Sequence, residues 1–216
     1  MADPVKDGTR MNSLIHQAVQ RDLDDFARAL DGFPAGDHER AAALAARFQW
    51  FDTLLTHHHE GEEEILWPVL RTSPPNTEEV GELTDEHERI VAALSAARAA
   101  FAAFGASATA EDAASAASAV RELHAAATEH FTHEESEIVE LCSRADPVAL
   151  KAAFKKLGRR SGLREGLWFM QWVSDGASAD DRAFLRTVIP PPVHWISKTV
   201  VGRSYTTSTA PIRVSS

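Results

Sequence analysis

The sequence predicts an all-α protein: an up-down-up-down four-helix bundle followed by a short-helical C-terminal extension. Three observations predict it. Alanine is abundant, tyrosine occurs once, and valine and isoleucine are sparse, a composition that favours helix over sheet. Apolar residues recur at intervals of three and four over long runs. Stretches carrying Gly, Pro, Asp or Asn separate those runs at residues 31–36, 71–76, 104–109, 143–147 and 189–193. At 216 residues the chain has room for one core plus an appendage.

The first run carries His16, Val19, Leu23, Phe26 and Leu30 on one helical stripe. The second carries Leu44, Phe48, Phe51, Leu55, His58, Glu62, Ile65 and Val69. The third carries Val80, Leu83, His87, Ile90, Leu94, Ala97, Phe101 and Phe104, with Thr77 expected as its N-cap. The fourth carries Val120, Leu123, Ala127, His130, Glu134, Ile138 and Leu141, with Thr109 as N-cap and Asp112 three residues on. Short connections make successive helices antiparallel. These runs assign residues 8–143 to the bundle and 144–216 to the extension.

In the extension, Asp146-Pro147 reads as an N-cap with proline at the first helical position, opening a short basic helix to about Leu157. An apolar run at 163–173 and a short helix from Ala179 to Val188 follow. Ile189 to Trp195 is expected to be extended or turn-like at its prolines, and residues 204–216 to be loosely held. Three of the five tryptophans lie in this extension, which is expected to pack over the bundle. A lid over one end of the bundle, or a partner surface for a homo-oligomer, is the functional alternative.

Net charge is −10, unevenly spread. Residues 1–150 hold 11 basic against 28 acidic side chains, and residues 151–216 hold 11 against 4. The acidic body argues against nucleic-acid binding, and the basic tail is expected to pack on it or to be solvated. A single cysteine, Cys142, provides no intrachain disulfide framework and suits a reducing compartment. With no membrane-span-length apolar run and no apolar signal core at the N-terminus, the expected location is the cytoplasm.

The polar residues on the apolar stripes carry the chemistry. His58 and Glu62, and again His130 and Glu134, stand four apart, one turn along the same helical face. His16 and His87 occupy inward positions on the other two helices. A bare inward carboxylate is costly unless it is paired or binds metal. In the antiparallel topology all four positions fall at one end of the bundle. Glu62 and His87 each lie roughly 12–14 Å from the loop that joins their helices. Four imidazoles and two carboxylates exceed the needs of one tetrahedral zinc. Bridging glutamates would let two octahedral metals take two histidines each and keep open positions. Imidazole with carboxylate suits iron or manganese and does not exclude zinc. Two iron ions are the reading adopted.

Taken together, a helix-one His, the HHxxEExxLWP-type text (His58, His59, Glu62, Glu63, Leu66, Trp67, Pro68), the EH of helix three (Glu86, His87) and HxxxEE (His130, Glu134, Glu135) resemble the hemerythrin-like (HHE cation-binding) family over roughly residues 8–143. The resemblance implies a non-heme di-iron protein that binds oxygen or handles peroxide or nitric oxide. Its metal ligands would be His16, His58, Glu62, His87, His130 and Glu134. In oxygen-carrying members the third helix resembles His-x-x-x-His, whereas here Val91 follows His87 by four. His59 or Glu63 are the candidates to replace the missing imidazole or to support the site. A less histidine-rich centre favours oxidase, peroxidase or catalase chemistry, with a small-molecule substrate unassigned. A non-catalytic oxygen, nitric-oxide or iron sensor or store is the alternative.

Overall fold

The computed structural model describes residues 4–160, 162–188 and 191–213, and every regular element among them is helical. Helix α1 (Pro4–Leu30) is followed by α2 (His38–Gly61), which passes through a π-turn at Glu62–Leu66 into α3 (Trp67–Leu70). A 3₁₀ turn at Pro74–Asn76 leads into α4 (Thr77–Ser107), and α5 (Ala110–Arg144) completes the bundle. The long helices alternate in direction, with α1 on α5, α5 on α4 and α4 on α2. The predicted helical-bundle class holds.

Local chemistry fixes the helix starts. Asp37 accepts from the Arg40 N–H at 3.0 Å, and Thr109 accepts from the Asp112 N–H at 3.1 Å, as its sequence position predicts. Thr77 is not the cap expected of it. The 3₁₀ turn runs directly into α4, so Thr77 is already its first helical residue. The preceding Asn76 uses its amide to tie the loop to Leu70 O (3.1 Å) and Leu141 O (2.9 Å).

The π-turn is a second departure from the simple period. The Trp67 N–H bonds to Glu62 O, one residue farther back than in an α-helix. The added residue shifts the downstream face by one position. Leu70 is therefore fully buried, while Val69, placed on the stripe by the simple period, is only partly covered.

The extension comprises α6 (Pro147–Leu157), α7 (Leu163–Ser174), α8 (Ala179–Val188), α9 (Pro191–Ile196), a π-turn at Ser197–Val201, α10 (Gly202–Thr209) and a 3₁₀ turn at Ala210–Ile212. Asp146 caps α6 by accepting from the Ala149 N–H at 2.7 Å. Two expectations fail here. The segment expected to be extended is helical from Pro191, because prolines in a first turn lack only N–H groups that would have no partner there; Ile189 and Pro190 lie outside the described residues. The stretch from 204 onward is not loose as far as it is described. Tyr205, Thr209 and Ile212 are buried, and residues 214–216 lie outside the description.

The packing of the extension follows from a gap in the bundle. Helices α1 and α2 scarcely meet, and α7, α10 and the last 3₁₀ turn fill the seam between them. Leu167, Trp168, Trp172, Leu185, Tyr205 and Ile212 thereby join the main bundle core. Trp168 stacks on Trp50 of α2 at 4.3 Å between ring centroids. On the α1 side, buried Asp22 accepts from Trp172 Nε1 at 2.9 Å, from Arg21 and from buried Arg47. From the basic cluster, Arg160 reaches Glu60 at 2.8 Å and Glu64 at 3.3 Å.

By length and composition the stretch Pro74–Ser107 could cross a membrane. Its hydropathy comes largely from alanines, and its inward face packs on α2 and α5 as a wall of the bundle.

Candidate metal centre

The apolar interior is split into two clusters. One follows the bundle toward the α1–α2 loop, and the other joins the π-turn, α3 and the ends of α4 and α5 to α6. Between them lies a polar layer containing His16, His59, Glu62, His87, His130 and Glu134, all buried. The end-matched depths read from the sequence thus bring all four bundle helices to one level.

Helical geometry explains how the layer is organised. His58 and His59 are consecutive and point to either side of the inward direction of α2. Glu62 is four residues beyond the first and three beyond the second, so its carboxylate lies one turn below both. Two donor sets result: His16, His58, Glu62 and Glu134 on the α1 side, and His59, Glu62, His87 and His130 on the α4 side. Within each set the donor atoms lie within 4.8 Å of one another, and Glu62 belongs to both. Glu134 Oε2 is 3.2 Å from His16 Nε2 and 3.8 Å from His130 Nε2, so it too borders both sets.

All six residues singled out in the sequence as ligands meet in this layer. His59 joins them as a full member of the second set. Val91 does not mark a lost ligand: it is 59% exposed on the outer face of α4, and a histidine there would point away from the centre. Glu63 supports the layer from outside, with its carboxylate 2.9 Å from His87 Nδ1.

That contact belongs to a pattern. Glu135 of α5 meets His16 Nδ1 of α1 at 2.8 Å, Glu63 of the π-turn meets His87 of α4, and Glu86 of α4 meets His130 Nδ1 of α5 at 3.0 Å. A carboxylate at Nδ1 holds the proton there and leaves the Nε2 lone pair facing inward. Each of these glutamates orients an imidazole on a neighbouring helix. Sequence reasoning quoted Glu86 and Glu135 in the motif text but gave them no role; the signal was the second acidic residue of each pair and the Glu preceding His87. Asn12, one turn before His16, donates to Glu134 Oε1 at 3.0 Å and was also missed. His133 reaches the second oxygen of Glu86 at 2.9 Å. The other described histidines lie outside the layer: His57 meets Glu165 at 2.6 Å, His124 stands 3.5 Å from Asp24, and His38 is exposed; the side chain of His194 lies outside the described residues.

The inner faces of these groups are turned toward one another. Inward Nε2 atoms confront each other at 3.0 Å between His87 and His130 and at 3.2 Å between His16 and His58. His59 Nε2 and Glu62 Oε2 are buried without a hydrogen bond, and Glu134 Oε2 faces the ring nitrogens His16 Nε2 at 3.2 Å and His130 Nε2 at 3.8 Å. Lone pairs aimed at one another and an orphaned carboxylate oxygen are what a bound cation would satisfy. The residues therefore fit a metal, and the cluster is able to bind one.

Burial dominates the electrostatics. It pushes His58 and His59 well below the ordinary imidazole value, helped by the neighbouring imidazoles, and lowers His130 to about 4. Burial opposes the charged form of His16 as well, but Glu134 and Glu135 outweigh it and raise its pKa. Glu62 is raised well above the carboxylate range by burial and by the charge of Glu134. Burial also opposes ionisation of Glu134, yet the His16 hydrogen bond prevails and holds it at about 2. Glu63 and Glu86 lie below the ordinary value because hydrogen bonds from His87, and from His130 and His133, overcome their desolvation.

The nearest thiol is not part of the layer. Cys142 sits in the lower apolar cluster, where burial pushes it up to about 12. All seven donors are imidazole nitrogen or carboxylate oxygen.

A family model described as Hemerythrin HHE cation binding domain matches residues 10–142. No curated protein and no solved structure matches significantly.

Proposed function

The chain belongs to the hemerythrin HHE cation-binding family, and from that premise we propose that it is a non-heme di-iron protein that binds and reacts with dioxygen or peroxide. The observation that carries the reading is the pair of donor sets sharing Glu62, with Glu134 bordering both. Three or four donors for each metal leave positions open, as a reactive centre needs and a structural one does not. An all-nitrogen-and-oxygen donor set suits iron, with manganese next. When bound, iron supplies one-electron redox chemistry and the open positions for a small oxygen species.

The protein's own groups have separable tasks in this reading. His16 and His58 would hold one metal and His59, His87 and His130 the other, while the carboxylates of Glu62 and Glu134 would offset the positive charge. Glu135, Glu63 and Glu86 keep protons on Nδ1 and so keep Nε2 free for metal. Asn12 fixes the rotation of the Glu134 carboxylate. Phe131 stacks on His16 at 3.9 Å between centroids and forms an apolar wall on that side. Turnover is preferred to storage because a cavity reaches His58 and Glu62 and offers small molecules a way in. The lone cysteine supports a reducing, cytoplasmic setting.

Metal analysis with an optical spectrum of the isolated protein tests the centre, and about two irons per chain are expected. One zinc and no iron per chain would overturn the assignment. Anaerobic reduction followed by stopped-flow addition of oxygen or peroxide tests the reaction. Repeated peroxide consumption, lost in folded Glu62→Ala or Glu134→Ala variants, is the expected result. A long-lived oxygen adduct that releases oxygen intact would sink the enzymatic reading.

A further inference from the structure

The extension does more than fill the seam. Between it and the bundle lies a cavity of about 620 Å³, within the range of small-molecule sites. Its floor is formed by α1, α2 and the π-turn, and its roof by α6, α7 and by Gly158, Arg160 and Gly162 between them. Met11, Ile15, Leu54, Phe154, Phe169 and Met170 are among its apolar lining. At one side His58 and Glu62 of the metal layer are themselves part of the lining.

The polar lining is sparse and placed. His57 and Glu165 satisfy one another across the junction at 2.6 Å. Arg160 is neutralised by Glu60 and Glu64, yet its Nη1 is buried without a hydrogen-bond partner. Gly61 allows this arrangement: a Cβ there would stand 2.9 Å from Leu157 and 3.5 Å from that same Nη1. Arg160 also lines the cavity with its side chain about a quarter exposed, so its guanidinium is the cationic N–H donor that the lining offers.

We propose that this cavity binds an apolar organic molecule carrying one hydrogen-bond acceptor, such as a carboxylate, carbonyl or hydroxyl, with the acceptor at Arg160 and the apolar body beside His58 and Glu62. The inference rests on the metal-centre reading only for what the molecule faces. The cavity itself is independent of it. The extension is then the substrate-binding part of the protein, and the bundle is the metal-binding part.

Fluorine NMR with 4′-fluorobiphenyl-4-carboxylate and with 4-fluorobiphenyl tests this on the full chain in metal-free, zinc-loaded and manganese-loaded forms. The acid is expected to bind all three, with its fluorine resonance broadened only when manganese is present. Met170→Trp, which fills the cavity from the extension side, should weaken binding by about tenfold or more. Val193→Phe serves the same purpose if Met170→Trp does not fold. Arg160→Gln should weaken the acid and leave the plain biphenyl unchanged. Binding that neither filling variant weakens, or broadening equal with zinc and manganese, would overturn the proposal. A chain that retains no metal would defeat the metal centre alone, and probe affinity in the metal-free protein would still decide the cavity.

Discussion

Glu86 offers a direct test of how the metal layer is positioned. One of its oxygens receives His130 Nδ1 at 3.0 Å and the other receives His133 Nδ1 at 2.9 Å. His130 is fully buried, whereas the His133 side chain is 29% exposed. In Glu86→Gln the single amide oxygen still accepts from His130. The amide nitrogen then faces His133, which can move its proton to the other ring nitrogen at little cost because solvent reaches it. Only charge assistance is lost, so under the two-metal proposal the metal at the His59, His87 and His130 set should bind about tenfold more weakly. In Glu86→Ala, His130 Nδ1–H is left buried and unpaired, or else the tautomer flips and points N–H at the metal. An unpaired buried donor costs about 1–3 kcal/mol, which corresponds to roughly 10–100-fold in affinity. Stepwise metal competition against a chelator reads the two donor sets separately. The expected order of affinity for the α4-side metal is wild type, then Glu86→Gln, then Glu86→Ala, with the α1-side metal little changed. Equal weakening of both metals, or no difference between Gln and Ala, would refute this account of Glu86.

Three further outcomes are expected. Asp22→Asn should destabilise the protein by about 3–5 kcal/mol in urea unfolding, because it leaves buried Arg47 without its counter-charge; Asp22→Asn with Arg47→Met should recover much of that loss. Cys142, with its thiol raised to about 12, carries only about one thiolate in ten thousand at pH 8, so iodoacetamide should label it slowly in the folded protein and fully after unfolding. Raising the pH toward 12 should speed labelling while the fold persists. Val91→His should leave metal content and optical spectrum unchanged, because position 91 faces outward; an altered spectrum would mean that α4 is rotated relative to the structure.

The bundle was legible because burial imposes a 3.6-residue period that the sequence displays, and the metal layer was legible because six polar residues kept that period. What escaped was set by contacts between elements. The π-turn carries no residue signature, since its defining bond from Trp67 N–H to Glu62 O depends on how the helix is packed, and it moved the buried position from Val69 to Leu70. His59 was read only as a candidate replacement or supporting group beside the His58–Glu62 pair. Inward proved to be the bisector of His58 and His59, so both face the layer. Glu86 and Glu135 act on imidazoles of other helices, and no spacing within one helix could pair them. The prolines at 191–192 were read as breakers, whereas at the start of a helix they are compatible with it.

The open seam between α1 and α2 also bears on the order in which the protein is completed during synthesis. Every candidate metal donor lies at or before Glu134, whereas the Asp22–Trp172 bond joins residues 150 apart. All four bundle helices, with their full set of donors, therefore leave the ribosome before the residues that roof the cavity. Metal loading need not wait for the last third of the chain, but the cavity must. A nascent or prematurely ended chain would carry the donors while leaving its apolar flank, including Trp50 and Ile15, without the cover the finished protein gives it.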